Sequence, residues 1–108
     1  MTKTMKLFSV LALFACLCVP VSASAHSALC SCLDNGDGTI TCEGGFSDGS
    51  SAKGVRMFVR DANDKTVARG KMNEDSEFTF NKPQGPYLVI FDAGPGHQVE
   101  IKSSDIVE

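Results

Sequence analysis

From about residue 26 onward, apolar and polar residues alternate with a period of two in short runs. Val55, Met57 and Val59 fall on one face of residues 55–60, and Phe78 and Phe80 share a face of residues 77–80. This period places alternate side chains on opposite faces of an extended chain and marks half-buried strands. Residues 29–33, 39–43, 66–71 and 98–102 read the same way. Tyr87-Leu88-Val89-Ile90-Phe91 is an unbroken apolar run that suits a central strand. Between these runs lie Asp34-Asn35-Gly36-Asp37-Gly38, the loop at residues 46–51, the turns at 61–65 and 73–76, Gln84-Gly85-Pro86 and Gly94-Pro95-Gly96. Glycine, asparagine and aspartate tolerate positive φ, and proline cannot donate to a ladder, so each interruption reads as a turn. No window after residue 26 has apolar residues at helical spacing. Seven short strands without a helix predict an all-β fold, a β-sandwich. Residues 103–108 are expected to fray.

The first residues follow another pattern. Lys3 and Lys6 precede an apolar run over residues 7–19, and Ala23-Ser24-Ala25 closes the segment with small residues. That is the layout of a secretory signal peptide over residues 1–25, cut before His26, leaving one domain over residues 26–108. The apolar run is too short for a membrane span. Leu13-Phe14-Ala15-Cys16 offers the alternative of a lipid anchor on Cys16, although Phe14 is bulky for that motif and the apolar run continues beyond it.

The whole chain carries a formal charge of −3, and loss of Lys3 and Lys6 makes the remainder more acidic. This argues against nucleic acid or an anionic membrane as partner and accords with attraction of cations. With no tryptophan there is no evident sugar-stacking platform. A single histidine after His26 leaves no serine–histidine–aspartate set to assemble, so no enzyme is expected. The stretch at residues 34–40 half-matches a calcium loop but lacks carboxylates at both ends, and is read as a hairpin turn.

Three cysteines remain after residue 25: Cys30, Cys32 and Cys42. Cys30 and Cys32 are two apart and share a strand face. If the hairpin is centred on Asp37, Cys32 lies opposite Cys42 and a cross-strand disulfide is possible. The favoured reading is this staple, with the odd cysteine unassigned. The alternative is a soft-ligand role for Cys30, Cys32 and Cys42 toward copper(I), nickel or zinc.

Cleavage before His26 would free an α-amine beside an imidazole, a pair that closes a five- or six-membered chelate ring. His97, at the tip of the Gly94-Pro95-Gly96 turn, would add a second imidazole, giving an all-nitrogen set suited to nickel or copper(II). Asp92 is the candidate to ligate beside it or to orient His97.

Asp48-Gly49, residues 54–59, Gly70-Lys71, residues 77–80 and residues 85–89 together resemble the carboxypeptidase-regulatory-like, transthyretin-like modules. Within that group, residues 43–49 and 92–97 are similar to the small extracytoplasmic subunit of energy-coupling-factor nickel and cobalt uptake systems. The chain departs from that pattern at Met72-Asn73 and at Ser76, where the family often has Thr-Asp and glycine, and in its cysteines. The resemblance implies a seven-stranded Greek-key sandwich outside the cytoplasm, in the periplasm or at the outer face of the membrane. It further implies a role in handing nickel or cobalt to a membrane metal transporter, with His26 and His97 as ligands. A periplasmic copper-binding protein and a metal-free interaction module are the alternatives.

Overall fold

The computed structural model describes residues 26–108; the signal peptide reading and Cys16 concern residues outside them. Seven strands form: β1 (Ala28–Asp34), β2 (Thr39–Phe46), β3 (Arg56–Asp61), β4 (Thr66–Lys71), β5 (Glu77–Asn81), β6 (Tyr87–Asp92) and β7 (Gln98–Lys102). They build two antiparallel sheets, ordered β1-β2-β5 and β4-β3-β6-β7. The chain crosses between sheets after β2, β4 and β5, so β6 returns beside β3, a Greek-key winding of a sandwich.

The alternating residues explain the layers. Ile40 and Cys42 of β2 and Phe80 of β5 face Met57 and Val59 of β3 and Val89 and Phe91 of β6; most of these are fully buried. Val55 packs against this core from just outside β3, where the sequence had placed it within the strand. Outward positions are polar on β2 and β5, as a one-sided sheet requires.

Asp37 sits at the centre of the β1–β2 hairpin, and Cys32 pairs directly with Cys42. Those two cysteines form a disulfide. The turn is held by Asp34 Oδ1 accepting from the Gly36 amide and by Asp37 Oδ1 accepting from the Thr39 amide and hydroxyl. Gly36 and Gly38 take the positive φ that the connection needs.

β2 continues through Gly44, Gly45 and Phe46, beyond the strand end that the sequence placed at Glu43 and into the first residue of the predicted loop. The reason is close approach. A Cβ on Gly44 would stand 2.5 Å from Phe91 Cε2 and 3.0 Å from Met72 Cε, so only glycine lets the sheets meet there.

Ser76 adopts φ 60° at the tight turn before β5. Its hydroxyl accepts from the Ala52 amide and bonds Ser51 Oγ, contacts that glycine could not supply and that hold a strained backbone in place.

The expectation of a frayed C-terminus is overturned. A single 3₁₀ turn, Ser103–Asp105, carries Ile106 into the core at 8% exposure, and the Asp34 amide donates to the Val107 carbonyl. Ile106, the buried apolar residue of this segment, joins the core and anchors the tail, whereas Val107 stays exposed.

Candidate metal centre

The site lies where the start of β1 meets the turn between β6 and β7. The β1–β2 register pairs Ala28 with Phe46, and the Ser47 amide donates to the Ser27 carbonyl. The same pairing carried one step further sets His26 across from Asp48. His26 Nδ1 lies 3.7 Å from Asp48 Oδ2. Phe46 meets the His26 ring edge-on at 5.3 Å between centroids and in turn touches Phe91, so the histidine rests on the core through one aromatic ring.

His97 arrives from the other end of the chain. The β6–β7 connection closes by the His97 amide donating to the Gly94 carbonyl and the Ala93 amide donating to the His97 carbonyl, with Gly94 and Gly96 at positive φ. The turn directs His97 against His26: their ring centroids are 5.1 Å apart and the planes tilt by 32°. His97 Nδ1 lies 3.2 Å from the Pro95 carbonyl. When that nitrogen carries the proton and donates, Nε2 keeps its lone pair for a ligand.

The spacing fits a shared ion. Two imidazole nitrogens at roughly 2.1 Å from one metal put their ring centroids roughly 4.5–5.3 Å apart for cis angles between square and tetrahedral. Among the described residues, no three or more histidine, cysteine, aspartate or glutamate side chains are already arranged to hold a metal. The described side chains bring together two imidazoles, His26 and His97, with the Asp48 carboxylate beside His26.

Asp48 is held below the usual aspartate range, first by the Ser50 hydroxyl and then by the Ser50 amide, both donating to Oδ1, with His26 adding a smaller attraction. Oδ2 remains free to face His26.

No family model, curated protein or solved structure matches the chain.

Asp92 does not join the histidines. Its Oδ2 accepts from Arg56 at 3.0 Å, and Oδ1 accepts from the Gly94 amide and from Gln98 Nε2. It faces outward on β6 opposite Gln98, so its carboxylate is consumed in shaping the turn. Those donors, Gln98 first and then the Gly94 amide, hold it below the usual range. Its contribution to His97 is made through the backbone of the hairpin.

The cysteines stand apart from the histidine pair. Cys32 and Cys42 are bridged. Cys30 faces inward on β1 opposite Gly44, and burial pushes its thiol up to about 12. Held protonated at neutral pH, it is a weak nucleophile and a poor metal ligand.

Proposed function

We propose that this protein is an exported, transthyretin-like sandwich that binds a borderline transition-metal ion, nickel or cobalt first, and passes it to a membrane uptake transporter. The observation that carries the reading is the meeting of His26 and His97, 71 positions apart in sequence, with ring centroids 5.1 Å apart. Imidazole suits nickel and cobalt as borderline ions. An α-amine freed at His26 would complete a chelate with Nδ1, the nitrogen nearest Asp48. Such a set leaves coordination positions open to water or to a receiving protein, which favours transfer over storage.

Two further features support this choice of metal and place. Bridging of Cys32 with Cys42 and burial of Cys30 withdraw the soft thiolates that copper(I) would prefer. A structural disulfide in a small domain suits an oxidising compartment. Among the described residues, no helix is long and apolar enough to cross a membrane.

Calorimetric titration of the purified protein with nickel tests the reading. The expected result is one ion per chain, binding abolished in His97→Ala, and an unchanged thermal midpoint in that variant without metal. Full nickel affinity in His97→Ala would refute the assignment.

A further inference from the structure

Among the described residues the two sheets have four outer strands, and three are guarded against pairing with other chains. β4 carries exposed Arg69 and Lys71, β7 carries exposed Glu100 and Lys102, and β5 runs into Lys82-Pro83. Charges and proline on an edge are the usual protection against edge-to-edge association. β1 has neither between Ala28 and Leu33, and its outward residues Leu29 and Leu33 are each 52% exposed.

The free edge of β1 has a definite hydrogen-bond parity. The Ser47 amide donates to the Ser27 carbonyl and the Asn35 amide to the Thr39 carbonyl, so odd-numbered residues of this strand bond toward β2. The Asp34 amide turns the other way, to the Val107 carbonyl of the tail. By the same alternation, the amides and carbonyls of Cys30 and Cys32 point out of the sheet. Among the described residues the tail bonds this edge at Asp34, and β7 lies beside β1 without pairing to it, so the main-chain groups of Cys30 and Cys32 have no strand partner.

The sequence of that edge is a palindrome, Leu29-Cys30-Ser31-Cys32-Leu33. An antiparallel strand pairing about a two-fold axis sets each residue against its mirror position, which is the self-complementarity that a two-fold interface demands. We propose that β1 pairs with β1 of a second copy, with Ser31 on the axis. Cys30 and Cys32 then exchange main-chain hydrogen bonds with Cys32 and Cys30 of the second copy, as their parity allows. Leu29 meets Leu33 of the other chain on the outer face, twice, and two three-stranded sheets become one sheet of six. The occupant is a second copy because both the bonding parity and the leucine pattern match the strand's own reverse. This pairing does not depend on metal binding.

Light scattering behind size-exclusion chromatography, over a range of protein concentrations, tests the pairing. The expected result is a mass that rises with concentration toward twice that of the monomer. Ser31→Lys sets two ammonium groups against each other at the axis and should hold the mass at the monomer value. Leu29→Lys with Leu33→Lys should do the same. Leu29→Lys with Leu33→Glu should recover the doubled mass, because each lysine then faces a glutamate of the other chain. Circular dichroism matching the parent establishes that the surface variants are folded. A monomer at every concentration would overturn the proposal, as would a dimer indifferent to Ser31→Lys or a lysine–glutamate variant that stays monomeric. A dimer that survives detergent without reductant would be a disulfide through Cys30 and would equally overturn it, since this register sets Cys30 against a bridged cysteine.

Discussion

Reduction of the Cys32–Cys42 bridge should cost the domain a large part of its stability. The bridge joins residues 10 apart. Closing a loop of that length removes about 2.7 kcal/mol of chain entropy from the unfolded state. The turn hydrogen bonds of Asp34 and Asp37 bias the reduced hairpin toward the same closure, so the measured loss should fall at or somewhat below that figure. For a domain of this size, ~1 kcal/mol moves the melting temperature by about 4–8 °C, so reduction should lower it by roughly 10–20 °C. The assay is thermal unfolding by circular dichroism with and without a phosphine reductant, with the thiol state verified by alkylation and mass. Cys32→Ala with Cys42→Ala should lose on the order of 1 kcal/mol more, because Cys42 is fully buried and alanine leaves a cavity. A drop below about 3 °C in fully reduced protein would refute the staple as a main source of stability.

Three further outcomes follow from the geometry. Cys30 should resist maleimide at neutral pH in the folded state and react at once in denaturant; rapid labelling of the native protein would contradict its burial. Gly44→Ala should destabilise by about 1–3 kcal/mol, because the added methyl meets Phe91 and Met72 in a filled core; an unchanged urea midpoint would contradict the close approach. Asp34, Asp37, Asp48 and Asp92 are all held below the ordinary aspartate value, chiefly by hydrogen bonds from Lys82, Thr39, Ser50 and Gln98 respectively. A depressed carboxylate favours the folded state above its unfolded pKa, and that stability is lost as pH falls through the folded value. The urea midpoint should therefore hold down to about pH 5 and fall below about pH 4; a midpoint unchanged to about pH 2 would contradict these contacts.

Much of the architecture was legible because it rests on period-two patterning. Each strand placed by alternation is present, and centring the first hairpin on Asp37 was enough to set Cys32 against Cys42. The same register, extended two places beyond the strand, would have set His26 against Asp48, a residue that the sequence placed in a loop and in the family resemblance but not beside a histidine. Whether Asp92 would ligate or only shape the turn that carries His97 was open in the sequence, because proximity to His97 says nothing about side-chain direction. On β6 it faces outward, where Arg56 and Gln98 claim it. The anchored tail was hidden because one buried isoleucine leaves no periodic trace. The extension of β2 through Gly44 and Gly45 was hidden for a related reason: glycine that marks a turn and glycine that admits Phe91 look alike in sequence.

The central claim is that His26 and His97 together hold a metal ion, and native mass spectrometry tests it most directly. Protein recovered from cells expressing the full chain would be measured before and after addition of nickel, cobalt or copper. The expected spectrum shows a chain beginning at His26 that carries one ion, nickel or cobalt in preference to copper(I), and the His97→Ala protein carries none. A chain beginning at His26 that takes up no metal, or one lipid-modified at Cys16, would contradict the N-terminal chelate and with it the proposed role in metal delivery.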